Sequence, residues 1–114
     1  MPDSIAFLPV TELVAHYRAG TVSPVDAVGA AYERLERLEP EINAFCRVAD
    51  RQESLKRARD AEVRWRERRP LGEMDGVPIT VKDAILAKGW PTLKRSTNKS
   101  RVRSHCQRNW KPPG

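Results

Sequence analysis

A break in composition between Leu93 and Lys94 limits what this chain can fold into. Residues 94–114 contain seven Lys or Arg and no Asp or Glu, and their only apolar side chains are Val102, Cys106 and Trp110. These apolar positions follow neither the helical nor the strand period, so the segment cannot build a packed face. Residues 1–93 hold fourteen Lys or Arg and fifteen Asp or Glu. We therefore predict that residues 1–93 form the folded part and that residues 94–114 form a basic, disordered tail.

A length of 114 residues allows at most one small domain. Such a chain buries about two thirds of the surface that its unfolded form exposes, which excludes a complete large enzyme. No apolar run approaches the roughly 18 residues of a membrane span, and the N-terminus lacks a signal-peptide pattern. We therefore expect a cytoplasmic protein with no membrane partner. Cys46 lies far from the pair His105-Cys106, which is too small a group to hold a metal, so we expect no cofactor and no metal.

Two helices are predicted in the first forty residues. Thr11 precedes acidic and apolar residues, as at a helix start, and Gly20 suits the left-handed position after a last turn, which gives a helix over 11–19. Ser23-Pro24-Val25-Asp26 is a variant of the capping box with proline at the first helical position, and Pro40 is expected to end this second helix. Its apolar residues recur at intervals of three and four and predict one buried stripe, formed by Val28, Ala31, Tyr32, Leu35 and Leu38.

A third, highly charged helix is predicted from about Asp50 to Pro70-Leu71-Gly72. Its apolar residues form one narrow stripe made of Leu55, Ala58, Ala61 and Trp65. Three of its acids lie four residues before an arginine, in the pairs Glu53–Arg57, Asp60–Arg64 and Glu62–Arg66. Residues at this spacing are neighbours on a helix surface. The pattern therefore favours a solvated face with weak ion pairs over a helix that binds nucleic acid.

Two extended segments are predicted around this charged helix. Residues 42–48 include Phe45, Cys46 and Val48 and favour an extended segment or a short strand over more helix. Residues 76–81 form a β-branched run with a proline near its start, which predicts a buried strand. Lys82-Asp83 follows directly, at the end of a strand where open α/β sheets tend to carry their chemistry.

The string Met74-Asp75-Gly76-Val77-Pro78-Ile79-Thr80-Val81-Lys82-Asp83 resembles the first catalytic segment of the amidase signature family. The preceding features agree with that family in order and spacing: Ser23-Pro24 opens a helix, Leu38-Glu39-Pro40-Glu41-Ile42-Asn43-Ala44-Phe45 follows, and the charged helix comes next. The resemblance covers roughly residues 5–93. The ending Gly89-Trp90-Pro91-Thr92-Leu93 is more similar to stand-alone amidases than to the A subunit of glutamyl-tRNA(Gln) amidotransferase.

This resemblance implies an α/β fold in which N-terminal helices and the first strands belong to a mixed sheet flanked by helices. It also implies an amide hydrolase with a triad of Ser, cis-Ser and Lys, in which Lys82 matches the catalytic lysine and Asp83 has a supporting role. A serine hydroxyl becomes a good nucleophile when a base takes its proton, and a buried, neutral lysine is one such base. Both catalytic serines are missing, because the sequence has no Gly-Ser-Ser-Gly-Gly stretch. The later serines lie among Lys and Arg without adjacent glycines, at Ser96, Ser100 and Ser104.

We interpret the chain as an N-terminal fragment of an amidase-type amide hydrolase, inactive alone because it carries only the catalytic lysine. The partner of the complete family is a small-molecule amide substrate, and the oligomeric state is left open. One alternative is a piece of the A subunit of glutamyl-tRNA(Gln) amidotransferase. Another is a small nucleic-acid-binding protein whose basic tail contacts phosphates while Trp110 stacks on a base. Nucleic acid is the less favoured partner, since it explains the charge and leaves the string at 74–83 unexplained.

A change of reading frame would produce an abrupt, acid-free segment of the kind that follows Leu93. We expect another frame downstream of codon 93 to encode a Gly-Ser-Ser-Gly-Gly stretch and further amidase segments. Sequencing the gene and its transcript checks this expectation. If no frame encodes such segments, the frameshift hypothesis is wrong.

Overall fold

A computed structural model describes residues 2–45 and 47–82, and over these residues the protein is helical. Four α-helices follow one another: α1 (Pro2–Ala6), α2 (Val10–Ala19), α3 (Pro24–Ile42) and α4 (Arg51–Arg66). Helix α3 packs against both α1 and α4, and α2 packs against α4. None of the helices in the described part of the chain is long and apolar enough to cross a membrane.

Helix α2 confirms the first predicted helix and begins one residue earlier. Pro9 precedes its first turn and makes no side-chain cap, so Thr11 lies inside the helix. Gly20 follows the last turn at φ +75°, and the Thr21 N–H donates to the His16 carbonyl at 3.1 Å. This is the left-handed ending that the glycine predicted. The predicted apolar side of the helix is buried and consists of Leu13, Val14 and Tyr17.

Helix α3 begins as the sequence predicted and ends later. The Asp26 N–H donates to Ser23 Oγ at 3.1 Å, and the Ser23 N–H donates to Asp26 Oδ2 at 3.0 Å, which completes a reciprocal cap. Pro40 lies inside the last turn, and the helix runs on to Ile42. A proline this close to the end removes one backbone hydrogen bond and disturbs few others. The chain leaves the helical conformation at Asn43, whose φ is +58°.

Helix α4 is the charged helix, and it ends before the Pro-Leu-Gly sequence that was expected to stop it. Asp50 caps its start by accepting from the Glu53 N–H at 3.1 Å. After Arg66 the Arg69 N–H donates to the Arg64 carbonyl at 2.8 Å and the Arg68 N–H donates to the Trp65 carbonyl at 3.1 Å. This pair of bonds is the Schellman motif, with Arg68 in the left-handed conformation at φ +58°.

The hydrophobic core lies between α2, α3 and α4 and includes residues from outside these helices. Its buried members are Leu13, Val14, Tyr17, Ala27 and Trp65, and partly buried Ile5, Leu8, Val22 and Val77 pack on it. On α4 the predicted stripe is buried at Ala58, Ala61 and Trp65. On α3 the buried residues are Pro24, Ala27, Val28 and Ala30. Of these four, only Val28 belongs to the predicted stripe.

Tyr32 links α3 to the start of α4. Its hydroxyl donates to the Ala49 carbonyl at 2.8 Å and lies 2.8 Å from Ser54 Oγ. Beside it, Arg51 Nη1 donates to both carboxylate oxygens of Glu36, at 2.9 and 3.0 Å. These contacts join α3 to the first turn of α4.

The α/β fold expected from the sequence is wrong for the residues that the structure describes, since they contain four helices and no strand. Residues 77–82 have no regular secondary structure, and neither do the described residues between Asn43 and Ala49. A β-branched run becomes a strand only when neighbouring strands accept its backbone hydrogen bonds. The described residues offer no such partner. The predicted tail at 94–114 lies outside the described residues.

The described residues divide into two compact units. The first contains residues 2–42 and 49–79, which include all four helices. The second takes in residues 43–45, 47–48 and 80–82. Lys82 therefore belongs to the second unit together with Thr80 and Val81, while Asp75 to Ile79 belong to the first.

Replacing Arg68 by glycine is expected to stabilise the first unit by about 1 kcal/mol, because glycine adopts the left-handed conformation without steric cost. Arg68→Ala is the matched control, since it removes the charge and keeps the Cβ. Urea unfolding of both variants and the parent chain measures the effect. Equal free energies of unfolding for the two variants would contradict the left-handed ending of α4.

Candidate functional site

The residue that the sequence singled out for chemistry, Lys82, has an exposed side chain at the end of the described segment. Its neighbour Asp83 lies outside the described residues, as do the three later serines. Within the described part of the chain, no group of three His, Cys, Asp or Glu side chains is arranged to hold a metal ion. The structure therefore shows most about the residues that lead to Lys82, which begin at Asp75 and Gly76.

The carboxylate of Asp75 is nearly buried and is held by three hydrogen bonds. Arg64 donates twice, from Nε to Oδ2 and from Nη2 to Oδ1, both at 2.7 Å. The Leu71 N–H donates to Oδ2 at 3.0 Å. Only 7% of the Asp75 side chain is exposed. A two-point contact of this kind fixes the orientation of the carboxylate as well as its distance from α4.

These contacts favour the charged form of Asp75. The hydrogen bond from Arg64 lowers its pKa, burial opposes that shift, and the Leu71 N–H and the arginine charge add to the lowering. The same hydrogen bond raises the pKa of Arg64. Because the carboxylate pKa is lower in the folded state, its stabilising effect is complete above its ordinary value near pH 4. The effect is lost as the pH falls through the lowered pKa.

Two aromatic side chains bind the backbone at the same point. The Trp65 indole Nε1–H donates to the Asp75 carbonyl at 2.8 Å, and the Tyr17 hydroxyl donates to the Gly76 carbonyl at 2.9 Å. The rings of Tyr17 and Trp65 pack with their centroids 6.0 Å apart. Burial raises the pKa of Tyr17, and the charge of Asp26 raises it further. The hydroxyl therefore keeps its proton and remains a donor.

Gly76 occupies a position that other residues cannot fill without strain. Its φ is +81°, and a Cβ placed on it would lie 2.8 Å from Cβ and Cγ of Pro24 and 3.0 Å from Cβ of Ala61. Pro24 is fully buried at the start of α3, so it has little room to move. Just beyond, the Val77 N–H donates to the Met74 carbonyl at 3.1 Å and closes a turn. We call Asp75 and Gly76, with their contacts to Tyr17, Arg64 and Trp65, the Asp75–Gly76 anchor.

This anchor could not be predicted from the sequence, because helical spacing gives Arg64 a different partner. Arg64 was expected to pair with Asp60, four residues earlier, and its guanidinium instead binds Asp75 with two nitrogens. Asp60 acts on Arg64 through its charge, which adds to the raised pKa of the arginine. The other two predicted pairs are present, Glu53–Arg57 at 2.8 Å and Glu62–Arg66 at 3.9 Å. The clue in the sequence was Asp75 itself, an acid directly before the glycine of the recognised string.

Comparison with protein families decides what this segment belongs to. The sequence profile of the family named Amidase matches residues 26–104, which includes Asp75, Gly76 and Lys82. The chain belongs to the amidase family. This membership confirms the resemblance predicted from the string at 74–83, and the match continues past Leu93.

Relatives of this amidase chain are A subunits of glutamyl-tRNA(Gln) amidotransferase. The protein from Chloroflexus aurantiacus is 38% identical over 89 residues, which cover 78% of this chain and 18% of the relative. The one from Dechloromonas aromatica is 42% identical over 79 residues, covering 69% and 16%. The one from Salinispora tropica is 33% identical over 113 residues, covering 99% and 21%. The chain thus spans about a fifth of the length of these relatives and corresponds to their N-terminal region. No solved structure matches it.

Gly76→Ala is expected to destabilise the first unit of this amidase chain by about 3 kcal/mol, because it combines a left-handed φ with contacts to Pro24 and Ala61 that are too close. Gly20→Ala is the matched control. Gly20 has a similar φ of +75° and nothing within 4 Å of an added Cβ, so only the conformational cost, about 1 kcal/mol, should remain.

Gly29→Ala completes the series, since Gly29 is helical and open to an added Cβ and its replacement should stabilise by about 0.5 kcal/mol. Thermal and urea unfolding of the three variants measure the order. Equal losses for Gly76→Ala and Gly20→Ala would show that Gly76 does not pack against Pro24.

Proposed function

We propose that this chain supplies the catalytic-lysine segment of an amide hydrolase, with Lys82 as the base. The observation that carries the proposal is the family match over residues 26–104, because it includes the string from Gly76 to Lys82 that resembles the family's first catalytic segment. In that resemblance Lys82 takes the position of the catalytic lysine. The reaction is hydrolysis of a small-molecule amide by a Ser, cis-Ser, Lys triad, which needs no cofactor.

The chemistry requires Lys82 to be covered by other residues. A lysine accepts a proton from serine only when its amine is neutral, and burial away from water favours the neutral form. The Lys82 side chain is exposed in the described structure. Other groups must therefore cover the Lys82 side chain before it can act as a base.

The nucleophile must also come from elsewhere. The sequence contains no Gly-Ser-Ser-Gly-Gly stretch, and an amine without a hydroxyl to activate cannot start acyl transfer. We propose that the chain is a truncated form of an amidase that is inactive by itself and completed by the remaining four fifths of such an enzyme. Cytoplasmic location is part of the same proposal.

An amidotransferase A subunit is the second candidate, favoured because the relatives described above are A subunits of glutamyl-tRNA(Gln) amidotransferase. It differs from the first in the larger assembly that the chain would serve, while the amide chemistry at Lys82 is the same. Loss of amide hydrolysis on replacing Lys82 therefore tests both candidates together.

We expect amide hydrolysis when the chain is co-expressed with the Dechloromonas aromatica relative from which the matching segment has been deleted. Lys82→Ala should lower the rate of hydrolysis of a small amide by about 100-fold or more, because a positioned general base contributes at least that factor. Lys56→Ala, which removes an exposed lysine of α4, is the control and should leave the rate unchanged. A fully active Lys82→Ala complex would overturn the assignment of Lys82, and a parent complex without activity would overturn the proposed function.

A further inference from the structure

We infer that Tyr17, Arg64 and Trp65 are positioning residues for Lys82, which act by holding the Asp75–Gly76 anchor from which the lysine-bearing segment departs. The inference rests on the proposed function of Lys82 and assigns it a supporting set of residues on α2 and α4. None of the three is placed in contact with the lysine, and their effect passes along the chain from Gly76.

The contacts of the anchor converge on two consecutive residues and use different atoms of each. Arg64 binds the carboxylate of Asp75, Trp65 binds the carbonyl of the same residue, and Tyr17 binds the carbonyl of Gly76. Pro24 and Ala61 limit the space on the remaining side. A backbone held at several points by side chains from a packed core has little freedom to shift or rotate.

Apolar burial of the residues beside the anchor contributes little to holding this turn in place. The large apolar side chains on either side of the anchor are exposed, with Leu71 81%, Met74 53% and Ile79 73% accessible to solvent. Val77 is the one neighbour that packs on the core, as a partly buried residue. The polar contacts therefore determine where the segment after Gly76 begins.

The requirement for such an arrangement comes from catalysis. A general base has to lie within hydrogen-bond reach of the proton that it takes, and a displacement of about 1 Å costs about 100-fold in rate. Five residues, 77–81, lie between Gly76 and Lys82, and neither they nor Lys82 form regular secondary structure. Without a helix or a strand to set its course, this segment depends on a fixed starting point.

Asp75→Asn tests the anchor with little change in shape. An amide has one accepting oxygen, whereas the carboxylate accepts from Arg64 with both oxygens and from the Leu71 N–H as well. Glu53→Gln is the matched control, because it makes the same chemical change in the exposed Glu53–Arg57 pair of α4. Tyr17→Phe removes one backbone contact of the anchor independently of charge.

The first measurement is amide hydrogen exchange in the full 114-residue chain. In Asp75→Asn and Tyr17→Phe we expect the Val77 amide to exchange about tenfold faster or more, while the amides of Ala58 and Ala61 in α4 stay within about twofold of the parent. Glu53→Gln should change neither. Unchanged exchange at Val77, or an equal increase at all these amides, would show that the contacts only add to overall stability and would overturn the inference.

The second measurement is kcat and KM in the co-expressed complex. We expect Asp75→Asn to lower kcat about tenfold or more with KM little changed, because a misplaced base slows proton transfer without weakening substrate binding. If Lys82→Ala is inactive and Asp75→Asn has the parent kcat, the positioning role is wrong and the proposed function stands. If Lys82→Ala is active, the proposed function fails, and hydrogen exchange alone decides whether the anchor orders the segment.

Discussion

A nearly buried carboxylate needs an opposite charge and hydrogen bonds, and in this protein Arg64 supplies both to Asp75. Removing a charge from water is costly unless hydrogen bonds and an opposite charge replace the lost solvation. Arg64 supplies two hydrogen bonds from a helix whose other face is packed in the core, and the Leu71 N–H supplies a third. These hydrogen bonds hold the loop after α4 against α4 itself. Held there, its backbone lies within reach of Tyr17 and Trp65.

The parts of the fold that could be predicted from the sequence are those set by near neighbours. Ser23 and Asp26 cap α3, Asp50 caps α4, and Gly20 ends α2, because each of these contacts spans only a few residues. Helix α3 runs past its predicted end at Pro40 to Ile42, because a proline in the last turn removes only one backbone hydrogen bond. Helix α1 could not be predicted because its five residues, Pro2–Ala6, are too few to show a helical period.

The parts that could not be predicted depend on residues far apart in sequence. Helical spacing offered Arg64 a partner in Asp60, and only the folded chain brings Asp75 within its reach. The segment at 76–81 has the composition of a strand, yet a strand exists only together with its neighbours, and the described residues contain none. The same string was nevertheless sufficient to identify the amidase family, because recognition depends on the order of residues and not on their partners.

Pro24 illustrates how two distant parts of a chain become dependent on each other. It begins α3, and it also forms the buried surface against which Gly76 lies without a side chain. A larger or differently shaped residue at position 24 would push on the turn at 76, and any side chain at 76 would push on the start of α3. Because glycine is already the smallest residue, a side chain at position 76 is expected to be tolerated better when position 24 is made smaller, so that a library varying both positions would contain folded pairs that the single substitution at 76 does not reveal.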